Sequence, residues 1–212
     1  MTTWELQQQI HNAVKGKISA GMTEKELAKI ISDVCPNWQG DLISGERSAD
    51  IEGKPTDRII KKGDVVLLDL QVYSDNMWSD LTRVYFIGGA SEKQISAYKQ
   101  VKKAIATGET LLRPGKKGKE IWNSMRNAIG TEFAFTHHGG HLIDSKNFYL
   151  QPSFTDECED VLQSGMIVTL EPAVYYPKEF GIRLENNYLI TADGCKRLCS
   201  LPMEMSNYIV KG

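Results

Sequence analysis

Apolar side chains at the start of the chain recur at helical spacing. Trp4, Leu6, Ile10, Val14 and Ile18 form one stripe, and Leu27, Ile30, Ile31 and Val34 form a second. Gly21 separates the two, Thr23 opens the second helix, and Cys35-Pro36 closes it. The pattern then becomes extended. Val65-Val66-Leu67-Leu68-Asp69-Leu70 is an apolar run of strand length, preceded by the turn Lys61-Lys62-Gly63-Asp64. Ser74-Asp75-Asn76 reads as a hairpin turn, and residues 78–87 as a second strand that stops at Gly88-Gly89. From Ser91 to about Ile129 the helical period returns. One face carries Tyr98, Val101, Ile105 and Leu112, the next Ile121, Trp122, Met125 and Ile129, with Pro114-Gly115 between them. Residues 133–137, 166–176 and 182–191 read as further strands.

The order is two helices then strands, twice over, without sequence repetition. It predicts an α+β fold of two pseudo-equivalent halves, with helices packed on a curved antiparallel sheet. No low-complexity segment divides the halves, so residues 1–212 are expected to form a single domain.

Composition narrows the function without naming it. Hydrophobic residues make up 41% and charged residues 25%, and the net charge is −2. That balance argues against a nucleic-acid or polybasic membrane partner. The first residues lack a basic segment followed by an apolar one, and no apolar run is long enough to span a bilayer, so a cytoplasmic location is expected. Cys35, Cys158, Cys195 and Cys199 do not form a disulfide framework or a paired zinc motif, and read as reduced thiols.

The candidate chemistry lies in acids that interrupt apolar strands. Asp69 sits inside the first run, and Asp80 follows across the hairpin turn. Glu171 ends the run Met166-Ile167-Val168-Thr169-Leu170, and Glu185 ends Gly181-Ile182-Arg183-Leu184. His141 follows Gly139-Gly140. A strand acid taken singly is more often a surface residue or half of an ion pair. Four together with an imidazole need a compensating charge, because buried carboxylates repel and are costly to desolvate. Four carboxylates and one imidazole suit two divalent ions, and manganese, iron, cobalt and zinc all fit such a mostly oxygen donor set, with no choice among them from the residues alone. Such a pair can activate water at neutral pH and stabilise a developing oxyanion.

These stretches resemble the catalytic domain of the pita-bread metallopeptidases, the group containing aminopeptidase P, prolidase, methionine aminopeptidase and creatinase. The resemblance runs from about Ser44 to Pro202 and rests on Gly63-Asp64-Val65-Val66-Leu67-Leu68-Asp69, Ser79-Asp80-Leu81-Thr82-Arg83, Gly140-His141, Met166-Ile167-Val168-Thr169-Leu170-Glu171-Pro172 and Gly181-Ile182-Arg183-Leu184-Glu185. The form around Glu185 is similar to the proline-peptidase branch. The resemblance implies metal ligands at Asp69, Asp80, His141, Glu171 and Glu185, with Glu171 also moving the catalytic proton. It implies a catalytic role for His137, in contact with substrate or the tetrahedral intermediate, and a substrate contact from Arg183. Arg183 read from its own chemistry is equally an internal ion-pair partner for Asp69 or Glu185.

Three departures bear on the substrate. Glu52 and Phe148 stand where the family carries histidines that position substrate, and both become candidate substrate contacts. The chain also begins at the first catalytic helix, so a creatinase-type N-terminal domain is not expected. The expected activity is exopeptidase cleavage of short peptides, Xaa-Pro peptides foremost, in a monomer or a homodimer. The alternatives are an enzyme of the same fold acting on a non-peptide amide or small molecule, and a catalytically silent binding module.

Overall fold

Side-chain caps set the helix boundaries. A computed structural model describes residues 1–211. Helix α1 spans Thr3–Lys17 and α2 spans Glu24–Val34. Thr2 with Glu5, and Thr23 with Glu26, form reciprocal capping boxes that satisfy first-turn N–H groups. Strand β1, Gln39–Ser44, leads into a short 3-10 turn, Gly45–Ala49. Strands β2, Val65–Ser74, and β3, Met77–Ile87, make a long antiparallel hairpin. Asp75 and Asn76 take positive φ angles of 53° and 56°, the left-handed pair that matches the twist of a two-residue hairpin. Helices α3, Glu92–Glu109, and α4, Gly118–Ile129, follow, with Ser91 and Gln94 boxing the start of α3.

The second half is more broken than its sequence pattern. Strands β4 (His141–Ile143), β5 (Leu150–Ser153), β6 (Ile167–Leu170), β7 (Ala173–Tyr176), β8 (Phe180–Arg183), β9 (Asn186–Ile190) and β10 (Cys195–Arg197) come next, and β11 (Ile209–Val210) ends the described chain. The sheets are β1-β2-β3-β11, β10-β9-β6-β4-β5 and the hairpin β7-β8. The expected strand at 133–137 is absent: a single bridge joins Ala134 to Val174, and the rest is irregular. The runs 166–176 and 182–191 are each two strands, broken at Glu171-Pro172 and Leu184-Glu185. Pro172 has no N–H to continue a ladder. At the other break the backbone changes partner, from Leu184 N on Pro172 O to Glu185 N on Thr82 O at 3.1 Å.

Strand β2 is buried on both faces, which explains its continuous apolar run. Val66, Leu68, Leu70 and Val72 pack with the apolar stripes of α1 and α2. Val65 and Leu67 join Val84, Phe86 and the faces of α3 and α4 in the larger core. Farther along that second face the apolar residues stop and Asp69, Gln71, Asp80 and Thr82 take over. The pleat therefore turns the core side of the hairpin into one wall of a cavity.

Candidate metal centre

Register decides how the first two acids meet. Asp69 faces Thr82 and Gln71 faces Asp80, so the aspartates are diagonal neighbours on one face of the β2-β3 hairpin. Gln71 lies between them: its Nε2 donates to Asp69 Oδ1 at 2.8 Å and to Asp80 Oδ1 at 2.7 Å.

The second pair of acids arrives from the strand breaks. Glu185 is held against β3 by its backbone bond to Thr82, and its Oε2 accepts from the Thr82 hydroxyl at 2.8 Å. Arg83, fully buried, donates to the Glu185 carbonyl at 2.7 Å and to Asn186 Oδ1 at 2.7 Å. The side-chain amide of Asn187 both accepts from and donates to the backbone of Asp80. These bonds stitch β3 to the start of β9, beside Asp80 and Glu185.

Glu171 N donates to Gly139 O at 2.9 Å, and His141 N to Thr169 Oγ1 at 3.1 Å, which lays the histidine segment across the β6-β7 break. Gly140 allows this approach, because a Cβ there would stand 2.1 Å from the Thr169 carbonyl oxygen.

All five residues line one cavity of about 470 Å³, an ordinary size for a small-molecule site. His141 Nε2 lies 3.5 Å from Asp80 Oδ2, 3.5 Å from Glu171 Oε1 and 4.0 Å from Glu185 Oε1. Donors about 2.1 Å from a tetrahedral ion stand about 3.4 Å apart, so this spacing suits a cation at their centre. His141 Nδ1 faces the Leu142 carbonyl at 3.2 Å, an arrangement that places the proton on Nδ1 and frees the Nε2 lone pair. Glu185 Oε1 is buried without a hydrogen-bond partner. Such an orphaned carboxylate oxygen is costly unless something positive meets it.

Electrostatics repeats the message. Burial, then the charge of Asp69, pushes the Asp80 carboxyl up to about 7. Burial and the neighbouring Asp80, Glu171 and Asp69 push Glu185 well above the usual carboxylate range. Glu171 is opposite: burial favours its neutral form, but His138, His141 and His137 outweigh that and bring it down to about 2. Burial disfavours a charged His141, while Asp80 and Glu171 raise its pKa overall. The donor chemistry thus fits a divalent ion. Among the described residues, Asp80, His141 and Glu185 form one compact ligand set and His137, His138 and Glu171 another.

The other expected contacts fall on the same cavity with different commitments. Arg183 lines it, yet Nη2 and Nε donate to Asp69 Oδ2 at 2.6 and 3.1 Å, and Nη1 donates to Tyr175 Oη at 2.6 Å and Ile51 O at 3.0 Å. The guanidinium is spent on an internal ion pair. His137 stands 3.9 Å from Glu171 Oε2 with both ring nitrogens occupied, Nδ1 on the His138 carbonyl at 2.5 Å and Nε2 on the Tyr175 hydroxyl at 3.0 Å. Burial lowers its pKa to about 4, so it is neutral near pH 7. Glu52 is exposed at the cavity mouth, and half-buried Phe148 packs edge-on to Trp78 with ring centroids 5.2 Å apart. Sequence reasoning missed Gln71, His138, Tyr175 and Asn187. His138 Nδ1 lies 3.0 Å from Glu171 Oε1, an ion-pair contact without an aligned hydrogen bond. Its place beside His137 was the only available signal.

Comparison with known proteins gives the same picture. Residues 3–192 match the model of metallopeptidase family M24. The chain is 32% identical over 199 residues to an Xaa-Pro dipeptidase of Pyrococcus furiosus, covering 89% of this chain and 57% of that protein. It is similar to an X-Pro aminopeptidase structure from Thermotoga maritima, with TM-score 0.91 and 28% identity over 99% of this chain and 61% of the other. The prolidase of Pyrococcus horikoshii gives TM-score 0.90 and 31% identity, covering 96% and 61%. The chain thus spans about half the length of the curated relatives it matches. The antiparallel architecture is the expected pita-bread fold. With the family model matched from the first helix through the acid-bearing strands, the chain belongs to metallopeptidase family M24.

Proposed function

We propose that residues 1–212 act as one catalytic unit, a divalent-metal-dependent exopeptidase that releases a terminal residue from short peptides, with Xaa-Pro peptides as the foremost class. One observation carries this reading: His141 Nε2 converges with oxygens of Asp80, Glu171 and Glu185 around a buried carboxylate oxygen that nothing in the protein satisfies. Asp80, His141, Glu171 and Glu185, with Asp69 beside them, are the residues that would hold the metal, manganese first. Bound there, a divalent ion supplies Lewis acidity toward the scissile carbonyl and makes water nucleophilic at neutral pH.

The chain's own groups supply the rest. Glu171, with a pKa brought down to about 2, is ionised at neutral pH, so it can accept a proton from the attacking water and return it to the leaving amine. Tyr175, bonded to both Arg183 and His137, fixes the orientation of the neutral His137 ring beside Glu171. Six acids line the cavity (Asp41, Glu52, Asp69, Asp80, Glu171 and Glu185) against the cations Lys54 and Arg183. That excess favours a positively charged peptide amine at the mouth, near exposed Glu52. Phe148, with Trp78 packed against it, offers an apolar wall for a substrate side chain.

The names of the relatives, Xaa-Pro dipeptidase and X-Pro aminopeptidase, support a peptide substrate over a non-peptide amide. No helix among the described residues is long and apolar enough to cross a membrane. The four cysteines are unpaired, which supports a reducing, cytoplasmic setting. The test is a screen of dipeptides and tripeptides against protein loaded with manganese, cobalt, iron or zinc. Turnover is expected on Xaa-Pro members, and Glu171→Gln should lower kcat by about 10²–10⁴-fold. Failure to cleave any peptide with any of these metals would overturn the proposal.

A further inference from the structure

We infer that this pocket, as folded, seats one divalent ion, and that the side-chain amide of Gln71 stands where a second ion would sit. The inference rests on the metal-centre reading above and departs from the expectation of two ions. That expectation counted carboxylates. The structure shows that the carboxylates are not equivalent.

Three acids lean toward His141, and the fourth does not. The ligand atoms of Asp80, His141 and Glu185 all lie within 4.8 Å of one another, and Asp69 belongs to no such set among the described residues. Both Asp69 oxygens are already engaged. Oδ2 takes the Arg183 guanidinium at 2.6 and 3.1 Å, and Oδ1 takes the Gln71 amide at 2.8 Å. A fixed cation thus offsets the charge that a second metal would offset.

Asp80 divides its two oxygens in the same sense. Oδ2 faces His141 Nε2 at 3.5 Å, while Oδ1 accepts from Gln71 Nε2 at 2.7 Å. An ion shared by Asp69 and Asp80 would have to stand between these two carboxylates. Gln71 Nε2 occupies that position, with each of its two hydrogens directed at one acid.

Gln71 is well placed to stay there. It projects from β2 directly opposite Asp80 and is 8% exposed. Its Oε1 fills the space beside Gly40, where an added Cβ would meet it at 2.8 Å. A second ion would have to displace two hydrogen bonds to charged acceptors, which weakens its binding on the order of 10²-fold or more. The first seat has no such competitor: it contains the orphaned Glu185 Oε1, and Asp80 and Glu171 oxygens lie 3.5 Å from His141.

The test measures bound metal directly. Metal-free full-length protein is titrated with Mn²⁺, ions per chain are counted after equilibrium dialysis, and the bound form is read by electron paramagnetic resonance. One ion per chain, with the six-line spectrum of an isolated Mn²⁺, is expected over a free-metal range reaching at least tenfold above the first dissociation constant. Gln71→Ala should then admit a second ion at least tenfold more tightly than wild type and give the spectrum of a spin-coupled pair. Gln71→Ser serves the same purpose if the alanine variant does not fold. Two ions of matched affinity in wild-type protein would overturn this inference while leaving the metal-centre reading intact. No bound ion at all would overturn both. A foldable Gln71 variant that still holds one ion would refute the role given to the amide.

Discussion

The pair Arg183–Asp69 offers a stability test that needs no metal. Both side chains are buried, at 2% and 8% exposure, and they meet through two hydrogen bonds of 2.6 and 3.1 Å. Removing one partner of a buried ion pair costs about 3–5 kcal/mol, because the survivor is left charged in a poorly solvated place. Here the two single losses should be unequal. Arg183→Gln strands Asp69 beside Asp41, Asp80 and Glu185, and the charge of Asp69 already raises the pKa of all three. It also removes the donor to Tyr175. A cost of about 3–5 kcal/mol is expected. Asp69→Asn also breaks the pair, but it relieves that repulsion and leaves Arg183 near Glu171, so about 1–3 kcal/mol is expected. The double variant should be little worse than Arg183→Gln alone, giving a coupling energy close to the Asp69→Asn cost, about 1–3 kcal/mol. The assay is urea unfolding of the four proteins with chelator at constant pH and ionic strength, so that metal binding does not enter. Single costs that add within about 0.5 kcal/mol, or an Arg183→Gln cost below about 1 kcal/mol, would refute the argument.

Two further predictions lie away from the ion pair. His11 is fully buried against Tyr85, and burial, with the charge of Arg83, drops its pKa from 6.5 to about 3. The unfolded chain therefore takes the proton first, so this contribution is complete above about pH 6.5 and is lost as pH falls toward 3. It amounts to about 4–5 kcal/mol. Urea midpoints between pH 4 and 6.5 should fall less steeply in His11→Gln than in wild type, and parallel slopes would count against it. Gly140→Ala would drive a Cβ into the Thr169 carbonyl, so β4 must move away from β6. A loss of at least about 2 kcal/mol, together with weaker metal binding through displaced His141, is expected from thermal melts and metal titration. An unchanged Tm with unchanged affinity would refute the role given to Gly140.

Local pattern was a reliable guide wherever one period ran the length of an element. The helical stripes of α1 to α4 and the β2-β3 hairpin were legible because each buries a regular face, and Asp75-Asn76 marks its turn in the residues themselves. The runs 166–176 and 182–191 looked continuous because both their strands are buried. Their breaks depend on a change of partner, which no local period records. The stretch 133–137 has strand-like composition, but its neighbours offer only one bridge. Site acids were visible as charges out of place in apolar runs. Gln71, Tyr175 and Asn187 were not, because an amide or a phenol in a strand is unremarkable until its partners are known.

By itself, then, the order of residues determined the elements, the anomalous acids and the family pattern, since each depends on residue type and spacing along the chain. Tertiary structure alone decided which charges meet. It gave Arg183 to Asp69, placed Gln71 between two aspartates and left Glu185 Oε1 without a partner. Electrostatic interaction depends on distance through space and on exclusion of water, and neither can be read along a chain in which Arg183 and Asp69 meet across 114 positions.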